Sequence, residues 1–129
     1  MIYELIKTAI SAVEALGNQV YPVSANLDGK TGPIALYSFG NTVPYRCLGG
    51  KIVHYTETVN IQILTDDFDS GQALYFAVCA ELHKITGQED SGGNRVLRVS
   101  CQSTEPDSYA IEIAKNVRSL QAEIVWAPG

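Results

Sequence analysis

A chain of 129 residues, 46% hydrophobic and 18% charged, has the length of one domain and a folded composition, which excludes disorder and removes the need for a metal or disulfide to hold the core. The net charge of −5, with nine basic residues scattered in no run, argues against a non-specific DNA or RNA binder, because phosphate binding runs on Lys and Arg. No apolar run approaches the length of about 20 residues that a membrane-spanning helix needs.

The pattern predicts a first helix over residues 2–16. Ile2, Leu5, Ile6, Ala9, Ile10, Val13 and Leu16 follow one apolar stripe, with Lys7, Thr8, Ser11 and Glu14 on the other side. Gly17 sits where a helix commonly ends in a left-handed residue. Glu4 and Glu14 interrupt the apolar pattern, so this segment reads as a mature helix of a cytosolic protein, not as a signal peptide. Residues 19–25 read as a short edge strand interrupted by Pro22. NLDGKTG (26–32) is a turn, and PIALYSF (33–39) is a buried strand, apolar in both phases. GNTVPYRCLGG (40–50) is expected to be a loop closing a wide hairpin.

Residues 51–65, KIVHYTETVNIQILT, carry the strongest signal. Val53, Tyr55, Val59, Ile61 and Ile63 fall in one phase; His54, Thr56, Thr58, Asn60 and Gln62 fall in the other. A strand sends successive side chains to opposite faces, so this is a ribbon with one apolar and one polar side. It is longer than the usual strand of roughly 5–6 residues, and a long strand in a small domain overhangs and invites a neighbour.

TDDFDS (65–70) opens the second helix, with Asp69 or Ser70 as N-cap. Leu74, Ala77, Val78, Leu82 and Ile85 form its stripe, Lys84 suits its C-terminal dipole, and Gly87 stops it. QEDSGGN (88–94) is a polar, mobile loop. Residues 95–103 alternate Leu97, Val99 and Cys101 against Arg98, Ser100 and Gln102, and TEPDS (104–108) is a turn. Tyr109, Ile111 and Ile113 alternate, as do Leu120, Ala122, Ile124 and Trp126; Lys115-Asn116 between them is either a hairpin turn or a bulge. Two amphipathic helices can cover only one face of such a sheet. The expected fold is therefore a single α+β domain over residues 1–129, a mostly antiparallel twisted sheet of about five strands with two helices packed on one face.

Few constellations suggest chemistry. Cys79 and His83, at i and i+4 on one helix face, would suit a metal or a Cys–His nucleophile pair, but zinc wants three or four ligands and a nucleophile wants a third, orienting group. Cys47, Cys79 and Cys101 are an odd count with no CxxC, and read as reduced, partly buried thiols. Asp66, Asp67 and Asp69 lack the spacing and terminal Glu of a calcium loop, and capping explains them. Gly49-Gly50 and Gly92-Gly93 lack phosphate-loop spacing. Asp107, Ser108 and His54 name hydrolase residue types without a nucleophile elbow. No catalytic residue, metal or cofactor is expected. The remaining surface is the polar phase of the long strand, His54, Thr56, Thr58, Asn60 and Gln62, joined by Tyr45 and Arg46 near the hairpin tip. Read as a wet sheet face it does nothing. Read as a subunit interface, its neutral groups hydrogen-bond a copy without the cost of burying charge, and Tyr and Arg are types enriched at interface hot spots.

VYP after an amphipathic helix, then PIALYSFGN, then YTETVNIQILTDDFDSGQALYFAVCAEL, with a final strand ending EIVW, resembles the small tail-terminator or tail-completion proteins of long-tailed bacteriophages. The matching parts are Val59, Ile61 and Ile63, the acidic turn 66–70, the helix from Leu74 to Leu82, and Trp126. The resemblance implies a twisted sheet backed by two helices and a homo-oligomeric ring, often hexameric, on the head-proximal end of the tail tube. It implies the tail tube protein and the head connector as partners, no nucleic acid, no membrane and no catalysis. It places the protein in the host cytoplasm during assembly and then in the virion neck. The alternatives are a head-closure or connector neck protein, or a small α+β ligand-binding or Cys/His enzyme domain.

Overall fold

The structure, a computed structural model, describes residues 2–104, 106–111 and 114–129. Ile113 of the expected alternation and Glu105 of the expected turn lie outside the described residues.

Helix α1 (Ile2–Ser11) buries Ile2, Ile6, Ala9 and Ile10. The expected single helix to Leu16 is broken: Val13 is extended, with ψ 108, and a 3-10 turn follows (Glu14–Leu16). The break lets Val13 and Leu16 stay in the core while the chain turns away. Gly17 ends the turn in the left-handed region, at φ 54, as its position predicts. Strand β1 (Val20–Pro22) then pairs with the start of β2 (Ile34–Arg46), Val20 opposite Ala35. The pairing is parallel, so the sheet, expected to be mostly antiparallel, is mixed, with its other strand pairs antiparallel. The segment between them does not fold back as a hairpin. It crosses the sheet and seats Leu27 on Ile34, Leu36 and Leu64, which returns the chain to the same end.

Strand β3 (Ile52–Thr65) pairs antiparallel with β2 from Ile34↔Leu64 to Arg46↔Ile52. The expected loop at residues 40–50 is therefore mostly strand. Its glycine and proline are tolerated because a register shift between Phe39 and Thr42 absorbs the irregularity, and because β1 covers only residues 35–37 of β2, leaving Pro44 on a free edge. The reversal itself is short, held by Gly50 N–H donating to Cys47 O and Cys47 N–H donating to Lys51 O, both 2.9 Å.

Helix α2 (Phe68–His83) is capped by Asp67, two positions before Asp69 and three before Ser70, the expected caps: its carboxylate accepts from Ser70 N–H at 2.8 Å and Ser70 Oγ–H at 2.9 Å. These two bonds hold its pKa below the usual value. Gly71, Leu74, Val78 and Leu82 are buried. The helix ends at His83, short of Gly87. The 88–94 loop is a bonded turn: the Asp90 carboxylate accepts from Gly92 N–H, Asn94 N–H and Asn94 Nδ2–H at 2.9–3.0 Å. Asn94 above all holds Asp90 at a pKa of about 2.

Strand β4 (Arg95–Ser103) and the short β5 (Ser108–Ala110) both pair with β6 (Lys115–Ala127). A register shift between Val96 and Arg98 puts Val96 inward and leaves Leu97, expected inside, 46% exposed. Ser108 belongs to β5, not to a turn, and Ile111 is exposed at the end of it. Lys115 and Asn116 are neither turn nor bulge; they are the first paired residues of β6, opposite Ala110 and Tyr109. Among the described residues the sheet has six strands, in the order β1-β2-β3-β6-β4, with β5 also on β6. Both helices share one core with Val59, Ile61, Ile63, Leu120, Ala122 and Ile124, so they cover one face, as expected.

Candidate assembly interface

The helix-free face is built by alternation. Cross-strand neighbours share a face, so Ser38, Asn60, Gln121 and Gln102 lie side by side, as do Val43, Thr56, Val125 and Arg98. Gln102 Nε2–H donates to Gln121 Oε1 at 3.4 Å, and Gln121 Nε2–H donates to Asn60 Oδ1 at 3.3 Å. This amide row crosses three strands and ends on both sides with hydrogen-bonding groups that find no partner among the described residues. Of the predicted interface residues, Asn60 and Gln62 are exposed and His54, Thr56 and Thr58 half-buried, all on this face.

Tyr45 and Arg46 belong to an arm. Residues 40–51 are exposed throughout, and β6 reaches only Tyr55 of β3, so the end of the β2–β3 hairpin has no third strand among the described residues. Tyr45 stacks on His54 with parallel rings 4.7 Å apart, which joins the tip to the open face. Arg46 Nη1–H donates to Gly50 O at 2.9 Å. Val43, Leu48 and Val53 add exposed apolar surface. The stretch of β2 beyond β1 and the outer strand β4 each border a register shift, and β2 carries Pro44. Such edges resist unlimited strand-to-strand growth.

On the helix side, at the root of this arm, sits a residue the sequence pattern passed over. Glu57 lies in the apolar phase of β3 and is 1% exposed. Tyr3 Oη–H donates to its Oε1 at 3.1 Å and Thr42 Oγ1–H to its Oε2 at 2.6 Å. A carboxylate in an otherwise apolar phase was the available signal.

The other constellations resolve into structural roles. His83 Nδ1 hydrogen-bonds the Cys79 carbonyl at 2.7 Å, within its own helix, so the ring is not set on the sulfur as a base would be. Asp66 pairs with Lys115 at 2.6 Å. Asp107 pairs with Arg118 at 3.1 Å, apart from His54 in the arm. Among the described residues no group of three or more His, Cys, Asp or Glu side chains could hold a metal ion, and no helix is long and apolar enough to cross a membrane.

Cys79 does meet Cys101. The Cys101 thiol donates to the Cys79 sulfur and lowers its pKa to about 7 against the opposing effect of burial, with help from the Tyr75 hydroxyl, His83 and Arg118. Cys101 is pushed up by the same bond. Folding thus favours the Cys79 thiolate, which adds stability as pH rises from about 7 toward 9 and loses it as pH falls back through 7. A thiolate absorbance titration of the folded protein should show one group ionising near pH 7. Cys79→Ala should abolish it, and Cys101→Ala should return it toward 9.0; an unchanged titration in Cys101→Ala would refute the pairing.

No protein-family model and no curated protein matches the chain. Among solved structures, a chain of the virion of a native gene transfer agent (GTA) particle is similar to it, with 18% identity, a TM-score of 0.48, and coverage of 99% of this chain and 92% of that one.

Proposed function

We propose that this protein is a structural component of a phage-type virion, a tail-terminator or tail-completion protein. In this role copies join into a ring that caps the tail tube and supports head–tail joining; the ring assembles in the host cytoplasm and remains in the virion neck. The observation that carries the reading is the β2–β3 arm, exposed on both faces from residue 40 to 51 and continuous through Tyr45 and His54 with the open face, where β3 presents the neutral Thr56, Thr58, Asn60 and Gln62. Docked on a site elsewhere on the next copy, the arm makes a head-to-tail contact, and a head-to-tail contact that closes by rotation makes a ring. The neutral groups of β3 suit a covered face, since charges left unpaired between subunits are costly. The net charge of −5 suits a passage for DNA, whose phosphates an acidic wall repels. No catalysis belongs to this role.

Native mass spectrometry across a concentration series, with negative-stain microscopy of the protein mixed with purified tail tubes, tests the reading. The expected result is a step from monomer to one closed ring, seated at a single tube end. A protein that stays monomeric at every concentration and never binds tubes would overturn it. Recovery from purified heads and not from tails would transfer the protein to the connector side of the neck.

A further inference from the structure

The cavity beside Glu57 has a volume of about 220 Å³ and is walled by Tyr3, Thr42, Tyr55 and Trp126. Tyr55 and Trp126 stack with ring centres 4.6 Å apart. Glu57 forms no ion pair among the described residues; two neutral hydroxyls hold it and bring no positive charge. A carboxylate withdrawn from water is costly unless a cation pairs with it. Aromatic faces attract the same kind of group. The site therefore fits a cationic side chain.

The chain itself offers one. Residues 40–56 contain Arg46 and Lys51 and no Asp or Glu, a basic segment in an acidic protein. Lys51 is exposed and forms no ion pair among the described residues, and Arg46 bonds only a neutral carbonyl. Neither reaches its own pocket. The ladder extends to Arg46↔Ile52, which holds the tip about 13 Å beyond Tyr55 at the rise of a strand. We propose that the pocket at the root of the arm receives the basic arm tip of a second copy, Arg46 or Lys51 entering against Glu57 between the aromatic walls. This rests on the ring reading above and gives that ring its head-to-tail joint.

Trp126 is the sole tryptophan, so its fluorescence reports the pocket. A synthetic peptide of residues 43–54, with Cys47→Ser, should change Trp126 emission saturably in the wild-type protein. The same peptide with Arg46→Ala and Lys51→Ala should bind at least tenfold more weakly, as should the wild-type peptide to Glu57→Gln protein. In full-length protein, Glu57→Gln and the double variant Arg46→Ala/Lys51→Ala should each remain monomeric, while their mixture should form dimers and nothing larger, since one good tip meets one good pocket. Should Glu57→Gln fail to fold, the tip variant, altered only at exposed positions, carries the same comparison. Rings formed by either variant at wild-type concentrations would overturn the joint and leave the ring reading intact. A wild-type protein that never associates would overturn both. Free arginine competing as well as the peptide would overturn the second-copy assignment.

Discussion

Replacing Ile61 with Ala is expected to lower the unfolding free energy by about 2–5 kcal/mol, while Asn60→Ala, one residue away, changes it by less than about 0.5 kcal/mol. Ile61 is fully buried, opposite Tyr37 of β2 and Leu120 of β6 on the face that the helices cover. Deleting its branched stem removes buried apolar surface and leaves a cavity that two flanking strands keep from collapsing. Asn60 faces the other way, into water, and loses one long hydrogen bond at 3.3 Å. Total stability for a domain of this size is about 5–15 kcal/mol, so the first change consumes a large share. Urea unfolding checks both, with an unchanged m-value as the sign that the denatured state is not the cause. Equal losses in the two variants would contradict a two-sided strand.

That contrast was legible in the residues because period-2 alternation over residues 51–65 needs no knowledge of partners. The same holds for the buried stripe of α2 and for Gly17, whose left-handed conformation follows from a local steric rule. The errors arise where pairing is decided at a distance. Residues 40–46 hold Gly40, Asn41 and Pro44, turn formers by local preference, yet β3 recruits them because its own ladder has no other partner there. Leu97 reads as inward by parity, and a single extra residue in β4 moves Val96 into its place. The parallel pairing of β1 depends on Leu27 finding the open face, a tertiary contact with no periodic trace. Glu57 was visible as a charge out of phase, but only the fold brings Tyr3 and Thr42 to it. Of the predicted interface, the sheet brings His54 to Tyr45, and Asn60 to the glutamines of β6 and β4, an amide row that one strand alone does not reveal.

Thr56→Lys with Asn60→Lys is expected to leave the fold intact and to weaken self-association by at least a hundredfold. Both side chains lie on the open face of β3, where Lys keeps its stem on the sheet and its ammonium in water, so the isolated domain tolerates it. Thr56 lies between Val43 and Val125, and Asn60 between Ser38 and Gln121; the carboxylate nearest both is Glu123, opposite Thr58 on the same face, and one carboxylate cannot neutralise two ammonium groups. If the face is covered by a copy, at least one ammonium must be stripped of water without a partner, and an uncompensated buried charge costs about 3–5 kcal/mol, more than two decades in a binding constant. If the face stays wet, the two ammonium groups cost almost nothing. Circular dichroism melts establish that the variant folds, and light scattering beside the wild type reads the assembly. Rings or tube-end binding at wild-type concentrations in a folded double variant would remove the open face from the interface and leave the arm alone to hold it.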